Sequence, residues 1–378
     1  MSESPHVDLT FVAGEIPRPK AVVYCEANFG AIDGKTANGL VRASEKYEII
    51  SVIDSNLAGQ DAGMILDGQP NGIPIRRDLN EALNQCDSRV ELFIIGVAPT
   101  SGLLSATERD ALLDAMTRGL SIVNGLHEFL NDDPELFAAS VINSVEIFDV
   151  RRPRPIAELR MFTGRIRQVS CPRIAVLGTD GAVGKRTTAT ILTEALNAHG
   201  VKAVMVGTGQ TSVIQGNRHA VALDAVPAQF VTGELEATVV EAFESEQPDV
   251  IIVEGQGALS HPTYLSSTAI LRGSLPSAVI LQHAPTRSKV SDFPMFDVPT
   301  PASEINLIET FADTKVIGVT INHENMTDDE VSSAILMYEL ELGIPVTDAL
   351  LRPTDRLLDI VFAALPELEI VESSITSA

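Results

Sequence analysis

The residues with the clearest chemical meaning lie between Gly178 and Thr187, where glycines and hydroxyl residues surround Lys185. The apolar residues 174–177 before them predict a buried parallel strand, and the stretch from Thr187 to His199 has the apolar spacing of a helix. A strand, a glycine-rich loop and a helix N-terminus form an anion-binding site, because backbone N–H groups and the helix dipole favour negative charge there. We predict that this loop binds phosphate; the alternative is a glycine turn with a structural role only.

The loop departs from the usual phosphate-loop pattern G-x-x-x-x-G-K-[ST] at two places. Thr179 stands where the first glycine belongs, and Arg186 separates Lys185 from the first hydroxyl residue of the helix. A second cation beside the lysine suits a multiply charged ligand. The residues that we expect to contact the phosphate groups are consecutive: Gly178, Thr179, Asp180, Gly181, Ala182, Val183, Gly184, Lys185, Arg186 and Thr187.

Two further residues in the same half of the chain are candidates for catalysis. His261 follows a glycine-rich segment and precedes a proline, so we expect it in a loop, where a neutral imidazole is suited to act as a general base. The alternative is a loop histidine with structural hydrogen bonds. Arg287 follows another predicted strand, and its guanidinium is suited to bidentate binding of a substrate carboxylate. A salt bridge within this acidic protein is the alternative.

Glu254 is the third catalytic candidate. It ends a buried apolar strand and is followed by glycines, so its carboxylate is a second choice for the base, after His261. It is also suited to hold Mg²⁺ together with Asp180, Asp224 and Thr187. A turn or cap acid is the structural alternative. Under the function that we favour below, no residue is assigned as a metal ligand.

The composition limits the possible partners and compartments. The chain has 378 residues with a net charge of −24, which argues against nucleic acid and anionic membrane surfaces as partners. Its three cysteines are scattered without metal-ligand spacing, as in a reducing compartment. The sequence has no apolar run of about 18–20 residues, as a membrane span would need, and its N-terminus does not read as a signal peptide. We therefore expect a cytoplasmic protein.

Strands and helices alternate along both halves of the sequence, which predicts two α/β domains with parallel sheets. We place the first domain at residues 1–150, a linker at 151–172 and the second domain at 173–378. The linker begins with a basic, proline-rich stretch whose charges we expect in solvent. Ligands bind at the carboxyl ends of parallel strands, so we expect the substrate pocket between the domains, with loops 98–102 and 124–128 of the first domain contributing.

The second domain resembles dethiobiotin synthetase and its P-loop relatives in the segments 178–185 and 253–255. Arg186 departs from that likeness, because it stands where those enzymes have a threonine that helps to hold magnesium. A longer resemblance covers nearly the whole chain and is carried by the segments 178–188, 207–211, 254–262 and 124–128. This longer resemblance is to a bacterial family that was long described as having an unknown function and that includes D-glutamate N-acetyltransferase. The resemblance implies a Rossmann-like parallel sheet followed by a P-loop NTPase-like parallel sheet.

The longer resemblance also implies an activity. We expect an N-acetyltransferase that moves an acetyl group from acetyl-CoA to D-glutamate or a related D-amino acid, with the loop holding the coenzyme phosphates. One alternative is an ATP- and Mg²⁺-dependent carboxylate-activating enzyme of the dethiobiotin synthetase type. Another is a non-catalytic nucleotide-binding regulator. The expected partners are a small amino-acid substrate and further copies of the same chain, without nucleic acid or membrane.

Overall fold

The computed structural model describes residues 18–86, 89–99 and 101–369. They form two parallel sheets in tandem, each flanked by helices, which confirms the predicted fold class. Buried strands in such sheets are apolar along their whole length, as in Leu92–Ile95 and Val250–Val253, because helices cover both faces. Among the described residues, no helix is long and apolar enough to cross a lipid bilayer.

The first sheet has six strands in the order β3-β2-β1-β4-β5-β6. Its strands are β1 (Lys20–Tyr24), β2 (Glu48–Ile53), β3 (Ile75–Arg76), β4 (Leu92–Ile95), β5 (Ser121–Asn124) and β6 (Ile147–Asp149). Its helices are α1 (Lys35–Arg42), α2 (Ala62–Asp67), α3 (Leu79–Asn84), α4 (Ala106–Thr117) and α5 (Pro134–Asn143). Local signals fix some helix starts: Ser105 and Glu108 form a capping box at α4.

The second sheet has seven strands in the order β13-β12-β11-β7-β10-β8-β9. Its strands are β7 (Arg173–Gly178), β8 (Ala203–Gly207), β9 (His219–Ala220), β10 (Val250–Glu254), β11 (Ala278–His283), β12 (Val316–Ile321) and β13 (Val346–Thr347). Its helices are α6 (Lys185–Ala198), α7 (Gln210–Gln215), α8 (Val231–Glu246), α9 (Ser266–Ser274), α10 (Pro301–Phe311), α11 (Asp328–Leu342) and α12 (Thr354–Ala364). Because β7 lies between β10 and β11, the loops that follow these three strands meet at one edge.

The short helix α7 joins the two domains. Its residue Ile214 is fully buried and belongs to the hydrophobic core of the first domain, although it follows β8 of the second. The hydroxyl oxygens of Thr36 on α1 and Thr211 on α7 lie 3.3 Å apart. A β-carbon at Gly39 would come within 2.9 Å of the Thr211 methyl carbon, so α1 and α7 pack closely only because residue 39 is glycine.

The segment after the first domain packs in part against the second. Our expectation that its charges lie in solvent is wrong for Arg151, whereas Arg152 and Arg154 are exposed as expected. Arg151 is only 6% exposed; its Nε donates to the carbonyl oxygen of Gly125 at 2.6 Å, and Nη1 pairs with Asp224 of the second domain. Further along, the Arg160 guanidinium donates to Glu234 on α8 at 2.7 Å. Buried cations need such partners, and only the folded chain supplies them.

Candidate active site

The phosphate loop connects β7 to α6 and has the geometry of an anion cradle. Gly184 caps the helix with φ at 106°, and Ala182 adopts the left-handed region at φ 48°. The first helical hydrogen bond is donated by Thr188 to the Gly184 carbonyl oxygen at 3.0 Å, which leaves the N–H groups of residues 185–187 free of helical partners. These N–H groups and the helix dipole give the loop its attraction for anions.

The side chain of Lys185 packs against the phosphate loop. Its side chain is 6% exposed, and Nζ donates to the carbonyl oxygen of Asp180. A β-carbon at Gly178 would lie 2.9 Å from the Cδ of Lys185, so glycine is needed for this path of the side chain. Burial lowers the pKa of Lys185 to about 8, although the negative charge of Asp180 opposes the effect. An anion bound in the cradle would stabilise the charged form and raise this pKa again.

Arg287 donates hydrogen bonds to the backbone of the phosphate loop. Nη1 donates to the Gly181 carbonyl oxygen at 2.9 Å and Nη2 to the Ala182 carbonyl oxygen at 3.0 Å. The same guanidinium pairs with Glu324, whose Oε2 lies 2.7 Å from Nη2. We expected this arginine to bind a substrate carboxylate; in the structure its donors contact the two loop carbonyls and Glu324.

Asp180 is the only loop residue that carries a negative charge, and it is fully buried. Oδ2 accepts a hydrogen bond from the Ser291 N–H at 2.9 Å and lies 3.6 Å from Nη1 of Arg287. Oδ1 is also buried but accepts from no group among the described residues. Since buried carboxylate oxygens normally have partners, an unpaired one beside a phosphate loop indicates a place for a ligand's donor.

His261 lies in the loop that follows β10, the neighbour of β7. Its Nδ1 accepts from the backbone N–H groups of Thr263 at 3.2 Å and of Tyr264 at 3.1 Å. Its ring stacks on Tyr264 with 4.3 Å between centroids, and Phe293 meets it edge-on at 5.8 Å. His261 is 9% exposed, and its Nε2 is buried without a partner in the described part of the chain.

Helix α10 fixes the loop that carries His261. The Glu304 carboxylate accepts from the N–H of Leu259, from the N–H of Ser260 at 3.3 Å and from the Ser260 hydroxyl at 2.6 Å. Burial raises the pKa of Glu304, and these hydrogen bonds oppose the rise. This role of Glu304 is not predictable from the sequence, because an acidic residue in the first turn of a helix is expected to interact with the helix dipole.

Glu254 and Arg186 bind each other. Oε2 of Glu254 accepts from the Thr208 N–H at 2.9 Å and from Nη1 of Arg186 at 3.3 Å. The Nε of Arg186 donates to the side chain of Gln215 on α7. Two of the expected functional residues therefore form part of a chain of contacts that leads from the phosphate loop to the domain boundary.

The three acidic residues considered for a shared magnesium site each contact a different group of the protein. Asp224 pairs with Arg151, Glu254 with Arg186, and Asp180 accepts from Ser291. Among the described residues, no three His, Cys, Asp or Glu side chains are grouped as metal ligands.

The first domain reaches the site through its strand-end loops. His127 Nε2 lies 3.8 Å from Oδ2 of Asp224, and Gly125 accepts from Arg151. Burial and the charge of Arg151 lower the pKa of His127, and the charge of Lys35 at the start of α1 adds to this effect. The charge of Lys35 also helps to lower the pKa of Lys185. Segment 124–128 therefore meets the second domain, as we expected for a pocket at the boundary. The expected loop 98–102 includes residue 100, which lies outside the described residues.

Comparison with known proteins gives a consistent family assignment. Residues 160–358 match a domain of unknown function described as a P-loop domain (DUF1611_C), and residues 55–153 match one described as a Rossmann-like domain (DUF1611_N). A crystal structure of a DUF1611 family protein from Anabaena variabilis superposes with a TM-score of 0.83 at 31% identity, covering 92% of this chain and 100% of that one.

Two curated relatives carry the name D-glutamate N-acetyltransferase. The protein from Tritonibacter scottomollicae is 31% identical over 280 residues, which cover 71% of this chain and 80% of that protein. The protein from a Pseudoalteromonas species is 27% identical over 289 residues, which cover 74% and 84% of the two chains.

Proposed function

This chain belongs to the DUF1611 family, in which a Rossmann-like domain precedes a P-loop domain, and from that premise we propose that it is an N-acetyltransferase. It would move an acetyl group from acetyl-CoA to the amino group of D-glutamate or a related D-amino acid. The names of two relatives supply the reaction. The observation that carries the proposal is a phosphate cradle beside two buried, unpaired atoms, Oδ1 of Asp180 and Nε2 of His261.

The loop fits the phosphate groups of a coenzyme. The N–H groups of residues 185–187 are free of helical partners, and a bound anion stabilises the charged form of Lys185. Acetyl-CoA enters here as the acyl-donor substrate, and the protein's part is to hold its phosphates and to place the thioester near the unpaired atoms. The cation Arg186, which we also expect near the phosphates, is held by Glu254 and Gln215 and so has a fixed position.

The acceptor would enter from the boundary between the domains. D-Glutamate carries two carboxylates and one ammonium group, so its binding needs cations as well as an acceptor for the ammonium. Lys35 and His127 of the first domain lie on that side, within electrostatic range of one another. Lys35 is our candidate cation for a carboxylate of the acceptor, and the imidazole of His127, whose pKa is lowered, is our candidate neutral hydrogen-bond donor to it. The ammonium group then faces the second domain.

Calorimetric titration tests which phosphate ligand the loop prefers. We expect acetyl-CoA to bind and ATP with Mg²⁺ to bind much more weakly or not at all. Lys185→Ala should weaken acetyl-CoA binding strongly while the thermal midpoint stays close to that of the unaltered protein. Tight binding of ATP–Mg²⁺ without binding of acetyl-CoA would contradict the proposal and favour the carboxylate-activating enzyme.

A further inference from the structure

We propose that Asp180 is the general base that takes the proton from the acceptor's ammonium group, and that His261 donates a hydrogen bond from Nε2 to the thioester carbonyl oxygen. This inference rests on the proposed N-acetyltransferase function. It reverses the role that we expected for His261. It also gives a catalytic role to Asp180, which we considered for contact with phosphate and, in the alternative, for binding Mg²⁺.

The backbone around His261 decides which ring nitrogen carries the proton. Nδ1 accepts from two N–H groups, those of Thr263 and Tyr264, so it must present its lone pair to them. The neutral ring then carries its hydrogen on Nε2. To act as a base at Nε2, the ring would need its hydrogen on Nδ1, pointing at two donors. Nε2 is therefore a hydrogen-bond donor, and it is buried without an acceptor among the described residues.

The surroundings keep this ring neutral. Burial lowers the pKa of His261, and the positive charge of Lys185 acts in the same direction, while Asp180 and Asp292 oppose them. Tyr264, which stacks on the ring, directs its hydroxyl to Asp292 at 2.6 Å and so does not occupy Nε2. A neutral donor in a buried position is suited to stabilise negative charge that develops on an oxygen atom.

Asp180 offers the complementary atom. Its Oδ2 is occupied by the Ser291 N–H, while Oδ1 is buried and unpaired within the described part of the chain. An unpaired carboxylate oxygen in a buried site is costly unless a ligand supplies the donor, and an ammonium group is such a donor. Asp180 follows β7 and the loop of His261 follows the adjacent strand β10, so both unpaired atoms belong to the same edge of the sheet.

The proposed step balances in atoms and charge. The Asp180 carboxylate accepts one proton from the acceptor's –NH₃⁺ group, and the amine nitrogen forms a bond to the thioester carbon. The electron pair of the C=O double bond moves to the oxygen, which receives the hydrogen bond from His261. The pair then returns, the C–S bond breaks, and the thiolate of coenzyme A leaves. The nitrogen, which became positively charged in the attack, loses its second proton, and the thiolate takes up that proton; the proton held by Asp180 is released to solvent. One acetyl-CoA and one ammonium compound give one amide, one thiol and one released proton.

The variants His261→Gln and His261→Ala show whether residue 261 acts as a hydrogen-bond donor or as a base. His261→Gln supplies an amide N–H in place of Nε2–H but has no basic nitrogen, whereas His261→Ala supplies neither. We expect kcat for thiol release within about tenfold of the unaltered enzyme for His261→Gln, and a loss of roughly 10²–10³-fold for His261→Ala. His199→Gln, at the exposed residue that follows the end of α6, is the matched control. Equal loss in both His261 variants would overturn the donor role.

An acetyl acceptor whose amine is uncharged at neutral pH distinguishes base catalysis by Asp180 from a structural role of this residue. We expect Asp180→Asn to lower kcat with D-glutamate by roughly 10²–10⁴-fold and to change the Kd of acetyl-CoA only a few-fold. Hydroxylamine is uncharged at neutral pH and needs no base, so the loss should be much smaller with it as acceptor. Asp249→Asn, whose carboxylate also accepts a backbone N–H but lies at the opposite end of the sheet, is the control.

The outcomes distinguish this inference from the proposed function. The same loss for Asp180→Asn with hydroxylamine as with D-glutamate, or no loss at all, would overturn the base assignment while the unaltered enzyme remains active. No thiol release from the unaltered enzyme with any amine would instead reject the proposed function. The thermal unfolding midpoints of all variants identify any variant that fails to fold. If Asp180→Asn fails to fold, His261→Gln still tests the donor role of His261.

Discussion

Arg186, in the first turn of α6, donates a hydrogen bond from its guanidinium to the side-chain oxygen of Gln215 in α7. The amide nitrogen of the same glutamine donates to the carbonyl oxygens of Gly39 at 2.6 Å and Ala43 at 2.7 Å, at the end of α1 in the first domain. One glutamine side chain therefore connects the phosphate loop to the neighbouring domain. The position of Arg186 depends on how the two domains pack.

Replacing Gln215 should weaken both the domain boundary and ligand binding. Gln215→Ala removes three hydrogen bonds in a buried region, which we expect to cost about 2 kcal/mol, or roughly 5 °C in the thermal midpoint. Acetyl-CoA should also bind more weakly, because Arg186 loses a partner. Gln168→Ala, at an exposed position, should change neither quantity. Equal midpoints for the two variants would contradict the role of Gln215.

The charge of Lys185 should make ligand binding depend on pH. In the free protein its pKa is about 8, so the charged form is lost as pH rises through that value. A bound phosphate favours the charged form and raises this pKa, so affinity must fall as pH rises above 8. From pH 7 to pH 9 we expect the Kd of acetyl-CoA to increase about tenfold. Calorimetry measures it, and Lys185→Ala should show weak binding without this dependence.

A conservative change at Arg287 separates its two possible roles. Arg287→Lys keeps the charge but cannot reach both loop carbonyls and Glu324 at once, since lysine lacks the planar fork. We expect acetyl-CoA to bind roughly tenfold more weakly while the KM for the amino acid changes little. A raised KM for the amino acid with unchanged acetyl-CoA binding would show instead that Arg287 binds the substrate carboxylate.

The ion pair between the buried Arg151 and the more exposed Asp224 should stabilise the domain boundary. Asp224→Asn leaves the Arg151 guanidinium buried without a counter-charge, which we expect to cost about 2 kcal/mol. The neighbouring pair of Arg152 and Asp132 is exposed, so Asp132→Asn is a matched control and should change stability by less than about 1 kcal/mol. Thermal midpoints compare the two. Similar small shifts in both variants would mean that the pair of Arg151 and Asp224 contributes no more than the pair of Arg152 and Asp132.

Local patterns in the sequence predict the fold and the phosphate loop well. The apolar run before Gly178 and the glycine spacing up to Gly184 act within a few residues, so they specify the strand, loop and helix directly. The alternation of strands and helices likewise predicts both parallel sheets, and the structure confirms them.

The roles of individual side chains depend on contacts that are distant in sequence. Arg287 binds the carbonyl of Gly181, 106 residues earlier in the chain, and no local pattern reveals that contact. The donor role of His261 depends on two N–H groups of the turn after it, which only the folded backbone places. Helix α7 lies between glycines that favour a loop, and its stability comes from packing Ile214 into the other domain.

Thiol release from acetyl-CoA is the most direct test of the central claim. The purified protein is incubated with acetyl-CoA and a panel of D- and L-amino acids, and free thiol is followed together with the acetylated product. We predict release that depends on the acceptor, is greatest with D-glutamate or a related D-amino acid, and yields the N-acetylated compound in equal amount. No thiol release with any member of the panel, from a protein shown to be folded, would contradict the N-acetyltransferase assignment.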